Sequence, residues 1–144
     1  MKIFTIGYAG KTAEQFFTVL KSMQIKTLID VRLYNTSQLA GYTKKNDLNY
    51  FTNEIAKANY LHLPAMSPTK AILDAYKKGQ MSWQEYQCQF DQIITERQIE
   101  NIIPVKQLDM VCLLCAEKAA DKCHRRLVGE YLANKFGDIE LIHL

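Results

Sequence analysis

One short stretch of the sequence gathers most of the side-chain types that do chemistry: VCLLCAEKAADKCHRRLVGEYL, residues 111–132. Cys115 ends an apolar run, Glu117 follows two residues later, and Cys123, His124 and Arg125 come after a polar loop. Thiolates act as nucleophiles or metal ligands, carboxylates and imidazoles transfer protons, and guanidiniums bind anions. The pattern is therefore typical of a catalytic loop, an anion site or a metal site.

A helix is predicted to begin inside this stretch, with Asp121 as its N-cap residue. The free backbone N–H groups of residues 122–124 would then point toward the end of the preceding strand, with the positive end of the helix dipole behind them. Such a position binds anions and lowers the pKa of a thiol in the first turn. The sequence therefore predicts that Cys123 is a partial thiolate, assisted by His124 and Arg125.

The rest of the chain alternates between apolar, β-branched runs and helical patterns, which predicts an α/β fold. We expect one domain over residues 1–144, with a mostly parallel sheet of about five strands and helices on both faces. The predicted strands cover residues 2–8, 26–32, 59–64, 110–115 and 139–144. Capping patterns predict four further helix starts, with the N-cap residues Thr12, Asp47, Ser67 and Ser82.

Ligands bind to open parallel sheets beyond the C-terminal ends of the strands. The predicted strands deliver polar or small residues to that edge, and the long loop of residues 33–46 follows the second strand. Candidate catalytic residues are Asp30, Cys115, Glu117 and Cys123, and candidate binding residues are Gly7, Tyr8, Arg32, His124 and Arg125. Cys112, inside an apolar strand, and Cys88, in a long helix, are predicted to have no part in the site.

Composition excludes several classes of protein. The 144 residues are 48% hydrophobic and carry a net charge of +3, which excludes a disordered chain and gives no basis for nucleic-acid binding from charge alone. No apolar run reaches the roughly 20 residues of a membrane span, and the N-terminus does not resemble a signal peptide. We therefore expect a cytoplasmic protein without membrane contact, whose four cysteines are thiols, ligands or core residues.

The motifs TIGY, LIDVR, TSQLAGYTKK, YLHLP and LLCAEKAADKCHR, in this order, resemble the prokaryotic family catalogued as domain of unknown function 488. Because this family has no established activity, the resemblance names no reaction, and the cofactor stays unknown. By motif position it implies functional residues that coincide with the candidates above, and it adds two. The added residues are Thr5 and Ser37.

Three functions remain open from the sequence. The first is an enzyme, such as a hydrolase or transferase, that acts on an anionic substrate, phosphorylated or nucleotide-like, with Arg32 and Arg125 as anion ligands. The second is a module that binds nucleic acid or protein through the aromatic and basic loop of residues 33–46. The third is a metal site, against which stands the expectation that the adjacent residues Cys123 and His124 point about 100° apart on a helix.

A reversible disulfide between Cys115 and Cys123 is a further alternative. The end of the second strand is also similar to that of rhodanese-type sulfurtransferases and cysteine phosphatases. In those enzymes the loop after the cysteine encloses an anion, and Asp121 would repel an anion there. Among these alternatives we favour the anionic-substrate enzyme, and we assign no metal ligands.

Overall fold

The computed structural model describes residues 1–36 and 40–144. It contains one sheet of five strands, each close to its predicted position. The strands are β1 (Lys2–Gly7), β2 (Thr27–Asp30), β3 (Asn59–His62), β4 (Val111–Cys115) and β5 (Glu140–His143). All four strand pairings are parallel, and the strand order is β3-β2-β4-β1-β5. The predicted α/β fold class is confirmed.

β4 is the central strand of the sheet, and its apolar sequence suits this position. Its five residues, VCLLC, are all buried, as expected for a strand covered by helices on both faces. Cys112 lies in the core at 0% exposure, and Cys88 is exposed on a helix. Both positions agree with their predicted absence from the site.

Helices cover both faces of the sheet. They are α1 (Ala13–Ser22), α2 (Lys45–Phe51), α3 (Lys70–Lys77), α4 (Trp83–Glu96) and α5 (His124–Phe136). α1 and α2 pack on one face through Phe16, Phe17, Leu20 and Leu48. α4 and α5 pack on the other face through residues that include Phe90, Ile94 and Leu127. None of the helices in the described part of the chain is both long and apolar enough to cross a lipid bilayer.

The strand order creates a switch point between β2 and β4. The chain leaves β2 toward β3, on one side of the sheet, and leaves β4 toward β5, on the other side. The loops that follow two such neighbouring strands diverge, which opens a crevice at their C-terminal ends. The fold therefore places a crevice between the residues that follow Asp30 and those that follow Cys115.

Two of the predicted helix starts are confirmed. Thr12 caps α1 in a reciprocal capping box, since its hydroxyl accepts from the N–H of Gln15 at 3.1 Å and its own N–H donates to Gln15 Oε1 at 2.9 Å. Ser82 caps α4 by accepting from the N–H of Glu85 at 3.1 Å.

Two others are wrong. The N-cap of α2 is Lys44, because a 3-10 turn leads directly into the helix and leaves Asp47 in its first turn. The N-cap of α3 is Thr69, because the hydroxyl of Ser67 donates to the carbonyl of Pro64 and closes a separate 3-10 turn.

Thr12→Ala is expected to lower the free energy of unfolding by about 1 kcal/mol, because it removes the hydroxyl that satisfies the Gln15 N–H. The matched control is Thr18→Ala on the exposed face of the same helix, which should leave stability unchanged or raise it slightly, since alanine has the higher helix propensity. Urea unfolding monitored by circular dichroism measures both. Equal effects of the two substitutions would contradict the capping role.

Candidate active site

A cavity of about 310 Å³ opens at the C-terminal edge of the sheet, where the switch point lies. Strand ends and the start of α5 form one side, and α3 and α4 form the opposite side. The lining residues that carry polar or aromatic groups are Tyr8, Arg32, Tyr34, Tyr76, Lys77, Trp83, Tyr86, Cys115, Glu117, Lys122, Cys123 and His124. The structure therefore brings Tyr8, Arg32, Cys115, Glu117, Cys123 and His124 together, as the sequence predicted for one sheet edge.

Cys115 lies at the tip of β4 and carries the more acidic thiol of the site. The hydrogen bond from the Cys123 thiol lowers the pKa of Cys115, and the backbone N–H groups of Ala116 and Glu117 add to this effect against the opposing effect of burial. The same hydrogen bond raises the pKa of Cys123, which donates it. Of the two thiols, that of Cys115 is therefore the more acidic.

This assignment corrects the prediction of a partial thiolate on Cys123, and the reason is the start of α5. The N-cap is Cys123 itself, with no side-chain capping bond, and Asp121 is exposed in the preceding loop. The predicted N-cap Asp121 is therefore wrong. Cys123 lies before the first helical turn, where it is buried and hydrogen-bonded to the sulfur of Cys115.

His124 is fixed by a backbone hydrogen bond. Its Nε2 lies 2.6 Å from the carbonyl oxygen of Val31, to which the Nε2–H donates. In the neutral ring this leaves a lone pair on Nδ1, and Nδ1 lies 3.6 Å from the sulfur of Cys115. The ring also packs against that of Phe90 in a T-shaped arrangement. His124 is therefore held with its basic nitrogen toward the Cys115 sulfur.

Cys123 and His124 face the same point, contrary to the predicted divergence of about 100°. That prediction holds for two residues inside a helix, whereas Cys123 is extended, with φ −138° and ψ 138°. The donor atoms of Cys115, Cys123 and His124 all lie within 4.8 Å of one another. The structure thus forms a compact cluster of two sulfurs and one imidazole nitrogen, with all three residues buried.

Asp30 and Arg32 form a buried ion pair beside this cluster. Arg32 Nε and Nη2 each donate to one carboxylate oxygen of Asp30 at 2.8 Å, and Nη2 also donates to the carbonyl of Thr43. The hydroxyl of Tyr60 donates to Asp30 Oδ2 at 2.6 Å. Burial lowers the pKa of Arg32, but hydrogen bonds and charge from Asp30 outweigh it and raise the pKa overall. Asp30 therefore positions Arg32 and does not itself line the cavity wall.

One guanidinium nitrogen of Arg32 takes no part in the ion pair. Its Nη1 is buried and makes no hydrogen bond within residues 1–36 and 40–144. The guanidinium lies 5.5 Å from the centroid of the Tyr8 ring, and both residues line the cavity. Burial raises the pKa of Tyr8, and the charge of Arg32 and a hydrogen bond with it oppose this effect. A charged donor group that lines a cavity is suited to binding an anion.

Arg125 is not among the residues that line the cavity. Its Nη1 donates to the carbonyl of Glu117 at 2.6 Å and its Nη2 to the carbonyl of Lys118 at 3.2 Å, so it holds the loop after β4. Gly7 lies so close to the same carbonyl of Glu117 that a Cβ on this residue would overlap the carbonyl oxygen. The side chain of Glu117 is exposed at the cavity rim. Arg125 and Gly7 therefore constrain the loop that follows Cys115, and Glu117 belongs to this loop.

Ser37 lies outside the described residues, so its predicted role stays a prediction. Thr5 is buried, with its hydroxyl 2.7 Å from His143 Nδ1. Tyr42 is one of the aromatic residues of the loop of residues 33–46 that the nucleic-acid hypothesis uses, and its ring packs against Phe16 and Phe17. Its hydroxyl donates to the carbonyl of Lys11. The part of the nucleic-acid hypothesis that relies on Tyr42 thus loses its support.

The sequence analysis did not identify the far wall of the cavity. Tyr76 and Lys77 lie at the end of α3, and Trp83 and Tyr86 lie at the start of α4. Trp83 and Tyr86 belong to the apolar stripe of α4, which predicts core packing and gives no sign of a cavity wall. Tyr76 and Lys77 lie before the turn at Gly79, and Trp83 and Tyr86 lie after it. Only this position beside a turn could have indicated that the four residues lie near a sheet edge.

Comparison with curated proteins and with solved structures gives no significant match for the chain. A family model described as Domain of unknown function DUF488 matches residues 12–132. The matched span contains Asp30, Arg32 and the whole Cys115–Cys123–His124 cluster, and it leaves out Gly7 and Tyr8. Because the match covers most of the 144 residues, the chain belongs to the DUF488 family.

Proposed function

We propose that this protein is an enzyme that acts on a small anionic substrate bound in the cavity at the C-terminal edge of the sheet. One observation carries the proposal. The same cavity is lined by the guanidinium of Arg32 and by the cluster of Cys115, Cys123 and His124. An anion donor next to a group of reactive side chains is the arrangement that substrate binding and chemistry require together.

The charges of the lining residues favour an anion. Arg32, Lys77 and Lys122 are cationic, and Glu117 is the one carboxylate among the described lining residues. Asp30 offsets the charge of Arg32 but uses only Nε and Nη2 of its guanidinium. The two exposed lysines at the rim would attract the anion, and Arg32 would hold it inside.

The size of the cavity limits the substrate. A volume of about 310 Å³ is at the lower end of the range for small-molecule pockets. The substrate class that we propose is therefore a phosphate ester or mononucleotide. Cys115, Cys123 and His124 supply the reactive groups, and Glu117 is available at the rim for proton transfer.

The binding step is tested by titrating the protein with inorganic phosphate and with adenosine monophosphate while following the thermal midpoint. We expect both anions to raise the midpoint by mass action. Lys77→Ala combined with Lys122→Ala should weaken the apparent affinity about tenfold, because two charged partners are lost. The control is Lys106→Ala, which removes an exposed lysine that precedes β4 and so lies near the opposite edge of the sheet.

The chemical step is tested by phosphorus NMR on a panel of phosphate esters and nucleotides. Conversion should disappear in Cys115→Ser and persist in Cys88→Ser, the exposed cysteine of α4. Conversion that Cys115→Ser retains would remove the cluster from the reaction. An anion affinity that is the same in the double lysine variant and in Lys106→Ala would place the anion outside this cavity.

A further inference from the structure

The cluster beside Arg32 has the donor set of a zinc site. Cys115 and Cys123 offer sulfur and His124 offers an imidazole nitrogen, and all three atoms lie within 4.8 Å of one another. Zinc binds sulfur at about 2.3 Å and imidazole nitrogen at about 2.0–2.1 Å in tetrahedral geometry, which places a sulfur and a nitrogen ligand about 3.6 Å apart. The observed distance from Cys115 Sγ to His124 Nδ1 is 3.6 Å. The pair is therefore spaced as two ligands of one ion.

The hydrogen bond of His124 supports the same use. A metal-binding histidine donates its second ring N–H to a carbonyl or carboxylate, which fixes the ring and the tautomer. His124 Nε2 makes such a bond with the carbonyl of Val31 at 2.6 Å. The ring therefore keeps its lone pair on Nδ1, the nitrogen nearer to Cys115.

The surroundings leave one position open. The three donors are only 3–7% exposed, so their environment excludes most bulk water, yet all three line the cavity. No fourth Cys, His, Asp or Glu joins them in the described ranges 1–36 and 40–144. Zinc with three protein ligands and one open position is the pattern of catalytic sites, whereas structural sites use four protein ligands.

We infer that Cys115, Cys123 and His124 bind one divalent, thiophilic metal ion of the zinc class, with its fourth position open to the cavity. The inference rests on the proposed function for its role: next to Arg32, the ion would supply a Lewis acid or activate a water for attack on the bound anionic substrate. Two thiolates and a neutral imidazole balance the double charge of the ion.

The experiment measures metal binding directly. The purified protein is analysed for metal content, stripped with a chelator, and titrated with Zn²⁺ and with Co²⁺. We expect one ion per chain, and for Co²⁺ a thiolate-to-metal charge-transfer absorption and the visible bands of tetrahedral cobalt. Loss of a residue that only supports a ligand lowers metal affinity by about 10- to 100-fold. Cys123→Ser removes a ligand itself, so it should weaken Zn²⁺ binding by more than about 100-fold.

Two variants keep the result interpretable. Cys88→Ser, on the exposed face of α4, should bind both ions like the wild-type protein. His124→Gln tests the nitrogen ligand with a side chain of similar polarity, and the thermal midpoint of each metal-free variant shows whether it is folded. Stripped, folded wild-type protein that binds neither ion would overturn the inference, as would equal affinity in Cys123→Ser.

The outcome is separable from that of the proposed function. Phosphate binding is measured on the stripped protein, where only Arg32 and the rim lysines act. A phosphate shift without metal binding would reject the metal site and leave the anion site standing. Metal binding without any anion shift would support the metal site and reject the anionic substrate.

Discussion

Gly7→Ala is expected to destabilise the protein by about 3 kcal/mol or more, the upper end of the range for overpacking. A Cβ on this residue would overlap the carbonyl oxygen of Glu117 and lie 2.6 Å from its carbonyl carbon. The obstacle is backbone, so no change of rotamer can relieve it. The backbone is also fixed, because Arg125 binds the Glu117 carbonyl and the N–H of Ala9 binds that of Ala116.

The matched control for this substitution is Gly41→Ala. No atom of the described residues lies within 4 Å of the position that its Cβ would take, so the change should stay within about 0.5 kcal/mol. Urea unfolding of both variants provides the comparison. A loss of less than about 1 kcal/mol in Gly7→Ala would mean that the loop after β4 can retreat, contrary to the contacts described above.

The effect of Gly7→Ala should extend to the site. The displaced residues directly follow Cys115, and the N–H groups of Ala116 and Glu117 are among the donors that lower the pKa of its thiol. If the variant folds at all, we expect its Cys115 to have a higher pKa than in the wild-type protein. The rate of alkylation by iodoacetamide as a function of pH measures this change, with Cys115→Ser as the blank.

Asp30→Asn is expected to lower the free energy of unfolding by about 3–5 kcal/mol, as is typical when one partner of a buried ion pair is removed. Asp30 and Arg32 are 0% and 4% exposed, and the amide cannot accept both guanidinium bonds and the bond from Tyr60. The charge of Arg32 would remain buried without a counter-charge.

A surface pair with the same chemistry supplies the control for Asp30→Asn. Lys70 and Asp74 form an exposed ion pair one helical turn apart, with 2.9 Å between Nζ and Oδ2. Asp74→Asn should change stability very little, because solvent screens the pair. Chemical denaturation at neutral pH measures both variants. If Asp30→Asn costs no more than Asp74→Asn, the buried pair does not stabilise the fold.

The general architecture was predictable because its signals are local. Alternation of apolar runs with capped amphipathic helices predicts parallel strands, and five strands appear within two residues of their predicted limits. The helix starts at Asp47, Ser67 and Asp121 were wrong for one shared reason. Each of these residues is a good N-cap by type, and the neighbouring turn, seen only in three dimensions, decides which residue takes the cap.

The candidate site was predictable in its location more than in its geometry. Residues that end parallel strands must share an edge, so Arg32 and Cys115 could be placed together from the sequence. Cys123 faces Cys115 because the backbone before α5 is extended, and no residue pattern predicts this conformation. Arg125 was predicted to bind the anion because of its residue type. Its hydrogen bonds to two loop carbonyls show that it holds the loop after β4.

The position of β4 between β1 and β2 also has a consequence for folding kinetics. In the described part of the chain, β1 pairs only with β4 and β5, which lie more than 100 residues later. The first strand to be synthesised therefore has no such neighbour until the last third of the chain is available. β2 and β3 can pair earlier, since only the α2 region separates them. Such a high contact order makes folding slow, and until β4 enters the sheet its apolar VCLLC segment, with both of its thiols, is exposed to solvent and to other chains.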